Sequence, residues 1–293
     1  MKVGFIGLGR MGSGMAHRIL GAGHDLAVFD VVRAQLEPFE KAGARAAGSI
    51  AEVCADRDVV VTMLVEDTAV LDVVLQPRGL RDSLPTGAIH MASGTHGVGT
   101  IRALEDAHAK AGQILIASPV LGRPDLAAAG QLGVVPGGPE EAVKRCEPLL
   151  QVIGKRIFPA GPKPECATAI KLANNAVLGC AMVAMAEGFA LVRKYGVNPQ
   201  VFQDVMVEGL FASTAYKVYG QKMVDESYDQ VGSPITVGLK DAMLIAAAAD
   251  LARVPMPSHD VYHQRLLGAV AHGDTDRDQA VLAREQARAS GLP

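Results

Sequence analysis

Val3-Gly4-Phe5-Ile6 is a short apolar run that ends in glycines, and from Met11 to Leu20 the apolar positions recur with helical spacing. Leu26 to Asp30 reads as a second strand closed by an acid. Further apolar runs at Asp58–Leu64, Ala88–Met91 and Gln113–Ala117 are separated by helix-like segments such as Ile101–Lys110. Strands that alternate with helices predict an α/β fold with a doubly wound parallel sheet. Leu132–Val135, Glu140–Leu150 and Arg156-Ile157-Phe158 continue the alternation. Pro159, Gly161, Pro162 and Pro164 then punctuate the chain and predict a boundary between residues 1–162 and 163–293. Beyond it the pattern is helical only, with a long stretch from Glu165 to Lys194 and further helices at about Pro199–Glu208, Ser213–Val224, Val237–Ala252 and Ser258–Ala271. The second part reads as an all-helical domain.

Composition narrows the function classes. With 49% hydrophobic and 20% charged residues the chain is globular, and at 293 residues two domains are the default. A net charge of −3 without a basic run gives no case for nucleic acid or an anionic membrane surface. Cys54, Cys146, Cys166 and Cys180 lack metal or disulfide spacing and read as buried small hydrophobes. An apolar strand directly after Met1-Lys2 predicts no secretory leader and a cytoplasmic protein. The apolar stretch Ala176–Val192 is interrupted by Glu187 and reads as a buried helix rather than a membrane span. His259 and His263 share a helix face, but nothing in the sequence completes a metal set, so no metal is expected.

Gly7-Leu8-Gly9-Arg10-Met11-Gly12 fits G-x-G-x-x-G between a strand and a helix. In that context Gly7 makes the tight turn, Gly9 lets the backbone approach a pyrophosphate and Gly12 allows helix to pack on strand. The helix start offers free N–H groups and a positive dipole end. Asp30, about twenty residues on, is placed to accept from ribose hydroxyls and to repel a 2′-phosphate. NAD is therefore expected, with NADP kept open by Arg33, which is able to pair with that phosphate.

In Ala167–Asn175, Lys171, Asn174 and Asn175 interrupt an apolar helix at i, i+3 and i+4 and share one face. A buried ammonium and two amides need partners. A catalytic cleft would supply them; a lysine reaching solvent beside capping asparagines accounts for the pattern equally well.

Phe5–Ala16 resembles the cofactor signature of the β-hydroxyacid dehydrogenases, the family of 3-hydroxyisobutyrate dehydrogenase. Lys171-Leu172-Ala173-Asn174-Asn175 resembles its K-x-x-N-N, and Lys240–Ala246 resembles its late K-D-L-x-L-A segment. The three motifs stand in the right order and span nearly the whole chain. The resemblance implies an NAD(P)-dependent enzyme acting on a small 3-hydroxy acid or its semialdehyde or keto form. In it Lys171 would be the general acid/base and Asn175 would orient the substrate, with Asn174 beside it. Leu64-Val65, Ser93 and Lys240 would line the cofactor site. A homodimer or homotetramer is expected from the Ala/Gly-rich long helix and from the family.

The substrate loop departs from the family's D-A-P-V-S-G-G. It reads Ala117-Ser118-Pro119-Val120-Leu121-Gly122-Arg123, so Leu121 replaces a serine and Arg123 a glycine. Arg123 is placed either to bind a carboxylate in two-pronged fashion or to pair with Asp125. The usual Asp-x-Ser-Thr turn becomes His90-Met91-Ala92-Ser93; His96 is able to reach the cleft but is read first as a surface loop residue, and Glu66, Asp67, Glu105 and Asp106 as solvated charges. Two alternatives follow: an imine reductase, which generally lacks K-x-x-N-N, and a catalytically silent cofactor-binding regulator.

Overall fold

The computed structural model describes residues 1–292 and divides into two compact units, Met1–Lys171 and a second from Leu172 on. In the first unit, strands β1 (Lys2–Ile6), β2 (Asp25–Phe29), β3 (Arg45–Ala46), β4 (Val59–Thr62), β5 (Ile89–Ala92) and β6 (Ile114–Ala117) form one six-stranded sheet. Their order is β3-β2-β1-β4-β5-β6, with every pair parallel. Helices α1 (Gly12–Gly21), α2 (Glu37–Lys41), α3 (Ile50–Cys54), α4 (Asp67–Leu75), α5 (Leu80–Ser83) and α6 (Val98–Lys110) fill the crossovers. The connections reverse direction between β1 and β4, and the crevice outside the carboxyl ends of those strands is where such sheets take ligands.

Side-chain alternation along the strands builds two cores. Val3, Phe5, Val59, Val61, Met91 and Ile116 face Met15 and Ile19 of α1, whereas Ile6, Val60, Ala92 and Leu115 face Val53 of α3, Val70 of α4 and Leu104 of α6. A central parallel strand is covered on both faces, which is why Val59-Val60-Val61 is apolar without interruption.

Past β6 the structure corrects the simple alternation. Leu132–Val135 and Arg156–Phe158 do not extend the parallel sheet. With Val120-Leu121, which periodicity does not flag, they form a separate sheet of β7 (Val120–Leu121), β8 (Leu132–Val134) and β9 (Gly154–Ile157), antiparallel then parallel. Helices α7 (Pro124–Ala128) and α8 (Glu140–Ile153) accompany it. Leu149, Leu150 and Ile153 of α8 are buried in the first core, and trimming one of them to alanine would cost about 2–5 kcal/mol.

The second unit is helical. The long helix α9 (Pro164–Lys194) begins in the first unit and is followed by α10 (Pro199–Glu208), α11 (Thr214–Val224), α12 (Ile235–Ala252), α13 (Pro257–Ala271) and α14 (Leu282–Ala289). By length and composition α9 is apolar enough to cross a membrane. Its Met182, Met185 and Phe189 are nonetheless buried against Met223, Tyr228, Tyr262 and Leu266 of the same unit. Asp278, fully buried, holds the loop before α12 by accepting from the Gly232 and Ser233 amides, with Lys222 Nζ at 3.5 Å. Cys54 and Cys146 are buried as expected, whereas Cys166 and Cys180 are only half-buried.

Candidate active site

The glycine turn lies at the carboxyl end of β1, against the end of β4. Gly7 has φ +94°, and a Cβ there would come within 2.5 Å of the Met63 carbonyl oxygen. A Cβ on Gly12 would fall 1.9 Å from the Gly7 carbonyl oxygen, so only glycine lets α1 start this close to the strand. Gly9 is exposed with open space where its Cβ would be, the room that a close-lying diphosphate requires. Arg10 is exposed, and Met11 and Leu8 sit half-buried and buried beside it.

Asp30 follows β2 and is fastened to this turn. Its Oδ2 accepts from the Leu8 amide at 2.7 Å and its Oδ1 from the Val32 amide at 2.8 Å. Each oxygen keeps lone-pair capacity for a sugar hydroxyl. Arg33 forms an ion pair with Glu40 at 3.0 Å.

At the ends of the next strands, Leu64 is half-buried and Val65 exposed. Ser93 and Ser118 close β5 and β6, which pair in register through Ala92 and Ala117. Both hydroxyls are buried without a hydrogen-bond partner. Two unsatisfied hydroxyls at the carboxyl edge of a dinucleotide-type sheet fit a polar ligand group such as a carboxamide. The open room at Gly9 and the orphaned Ser93 hydroxyl show that the residues present suit a dinucleotide.

His96 and Asp67 correct the sequence reading. His96 is not a surface residue, and Asp67 is not a solvated charge. The His96 side chain is fully buried, with Nδ1 3.0 Å from Asp67 Oδ1. Burial pushes the Asp67 carboxyl up, and the hydrogen bonds from His96 and Thr100 outweigh it and hold it below the usual carboxylate range. His96 stands on the loop after β5 and Asp67 at the start of α4, far apart in sequence, so no local pattern announces them.

Lys171, half-buried on α9, donates from Nζ to the Val120 carbonyl oxygen at 2.9 Å. That contact places the ammonium beside Leu121 and Gly122, the latter at φ +144°. Leu121 is half-buried, and Arg123 is exposed with its Nε 3.5 Å from Asp125 Oδ1. Of the two expected arrangements for Arg123, the ion pair is the one present.

In the helical unit Asn175 donates from Nδ2 to Asp241 Oδ2 at 2.7 Å. Lys240 Nζ meets Asp241 Oδ1 at 2.7 Å, both side chains being mostly buried. Asn174 is exposed. Asp241 thus gathers two of the expected site residues, a role that the sequence hinted at only through the acid following Lys240. His259 is buried with its ring 6.4 Å from that of His263, and among the described residues no cluster of three metal-ligating side chains exists.

A parallel sheet in the order 3-2-1-4-5-6, a glycine turn at its switch point and an acid after the second strand define an NAD(P)-binding protein. Residues 2–161 match the family model for the NAD binding domain of 6-phosphogluconate dehydrogenase. Residues 166–285 match that for the NAD-binding region of NADP-dependent 3-hydroxyisobutyrate dehydrogenase. The chain is 34% identical to an uncharacterized oxidoreductase, YfjR, of Bacillus subtilis, over 97% of this chain and 99% of that one. It is 32% identical to NAD-dependent L-serine dehydrogenase of Pseudomonas aeruginosa, over 97% of each chain. The crystal structure of 3-hydroxyisobutyrate dehydrogenase from Salmonella typhimurium superposes with a TM-score of 0.85 at 25% identity, covering 96% of this chain and 98% of that one. The chain is an oxidoreductase that belongs to the β-hydroxyacid dehydrogenase family.

Proposed function

We propose that the protein catalyses NAD-linked interconversion of a small 3-hydroxy acid with its semialdehyde or keto acid, and that Lys171 is the general acid/base. The observation that carries this reading is the Lys171–Val120 hydrogen bond, which fixes a protein ammonium beside the residues of the expected substrate loop. The glycine turn Gly7–Gly12, Asp30, Leu64, Val65, Ser93 and Lys240 hold the cofactor in this proposal. When bound, the nicotinamide supplies a hydride acceptor or donor at the substrate's hydroxyl-bearing carbon.

On reduction the Lys171 ammonium gives a proton to the carbonyl oxygen and is left as the neutral amine, and on oxidation the neutral amine takes the proton from the substrate hydroxyl. Asn175, one helical turn further on α9, orients the substrate, and its amide is itself oriented by Asp241. Leu121, Gly122, Arg123 and Asn174 shape the substrate's surroundings. Asp30 favours NAD because its charge repels a 2′-phosphate, and Arg33, the residue that keeps NADP open, is engaged by Glu40. Val177 and Leu191 project from α9 fourteen residues apart, 72% and 61% exposed, which supports assembly as a homodimer or homotetramer. A monomeric mass in solution scattering would rule that assembly out.

The test is NADH production across short 3-hydroxy acids by the wild-type enzyme and by Lys171→Met. Loss of kcat by about 10²–10⁴ with unchanged NADH affinity is expected. Undiminished turnover in Lys171→Met would refute the acid/base role, and absence of turnover with every hydroxy acid would favour a silent cofactor-binding protein.

A further inference from the structure

One carboxylate serves two helix starts in the first unit. Asp67 lies in the first turn of α4, yet its oxygens accept from the Gly97 amide at 3.2 Å and from the Thr100 hydroxyl at 2.7 Å. Gly97 is the cap residue of α6 and has no side chain to offer, so Asp67 caps that helix from the first turn of α4. The remaining bond comes from His96. A carboxylate accepts only, so Nδ1 of His96 carries the proton and the ring is fixed in orientation.

The other edge of that ring reaches back toward the strand ends. His96 Nε2 is buried and meets no hydrogen-bond partner. A Cβ on Gly94 would lie 2.4 Å from Nε2 and 2.4 Å from the Leu64 carbonyl oxygen. The imidazole therefore fills the space beside Gly94 and Leu64, where the loops after β4 and β5 approach each other. An apolar filler would avoid the cost of an unsatisfied buried nitrogen, but it would give up the directed bond to Asp67.

We infer that Asp67 and His96 form a positioning pair that holds the Leu64-Val65 loop against the Ser93-Gly94 loop and thereby sets binding of the nicotinamide half of the cofactor. The adenosine half, held by the glycine turn and Asp30, is independent of the pair. This rests on the cofactor placement proposed above.

Calorimetric titration with NADH and with ADP-ribose, which lacks nicotinamide, separates the two halves. His96→Ala is expected to weaken NADH about tenfold or more while ADP-ribose stays within about twofold. His96→Gln, which keeps a donor able to reach Asp67, is expected to recover NADH to within about threefold of wild type with ADP-ribose unchanged. If the alanine variant does not fold, Asp67→Asn takes its place in the comparison, with the same selective loss of NADH. Equal weakening of both ligands, or no weakening of NADH, overturns the inference. Wild-type protein that binds neither ligand overturns the cofactor reading itself, and the inference with it.

Discussion

His90 donates its Nδ1–H to Nε2 of His108 across 2.9 Å, and neither ring has a choice of tautomer. The direction is set at one end of the chain of bonds. Gln113 spends its amide hydrogens on the Arg81 and Leu84 carbonyls, so its Oε1 accepts from His108 Nδ1 at 2.7 Å. His108 Nε2 must then accept from His90, and His90 Nε2 accepts from the Thr62 hydroxyl at 2.8 Å. A fully buried polar line thus ties β4 to β5, α6 and the segment around α5.

This line makes stability acid-sensitive. Burial holds both imidazoles below the ordinary value of 6.5, His90 well below it and further depressed by the neighbouring His108. Below pH 6.5 the unfolded chain binds protons that the folded chain does not. The stability present above that pH is therefore lost as pH falls toward the depressed folded values, by about 1.4 kcal/mol per histidine per pH unit. Urea midpoints between pH 7.5 and 5.5 should show the decline, and His90→Gln should flatten its slope by about one proton.

Two alanine substitutions in the glycine turn should behave oppositely. Gly9→Ala meets nothing within 4 Å and should leave stability within about 0.5 kcal/mol while weakening NADH binding at least tenfold. Gly12→Ala drives a methyl into the Gly7 carbonyl and should lower stability by about 2 kcal/mol or more as well. Chemical denaturation and NADH titration on the same samples distinguish them.

Asp30→Ser removes the charge that disfavours a 2′-phosphate and weakens the anchor of the Leu8 amide. The ratio of kcat/KM for NAD to that for NADP should fall about tenfold or more, with most of the loss on the NAD side. An unchanged ratio would mean that selectivity resides elsewhere.

Asp241→Ala leaves the Asn175 amide and the Lys240 ammonium without their shared acceptor. Stability should drop by about 2 kcal/mol or more, and kcat/KM should fall at least tenfold. Asp241→Asn, which still accepts from Asn175, should retain more of kcat than of stability.

The parts of this molecule written in contiguous residues were legible in its sequence. Gly7–Gly12 between an apolar run and a helix, Asp30 after the next strand, and the helical spacing of α10 to α13 each declare themselves within a few residues. The sheet of β7, β8 and β9 did not, because strands of two to four residues carry almost no periodicity and their pairing is a tertiary event. The burial of His96 was hidden for a related reason: its partner Asp67 stands 29 positions earlier, and only the sheet brings the start of α4 to the loop after β5. The same holds for Asn175 and Asp241, 66 positions apart.

The bond between Asp30 and the Leu8 amide bears on how an anion is received. The Gly7 amide is spent on the Phe29 carbonyl, and the Leu8 amide that follows it is already committed to a carboxylate of the protein's own. Incoming negative charge is thus turned away from the end of β1 and drawn to the first residues of α1, where the dipole points outward. The docking place of a diphosphate is in this way narrowed before any ligand arrives, by an internal anion that occupies the neighbouring berth.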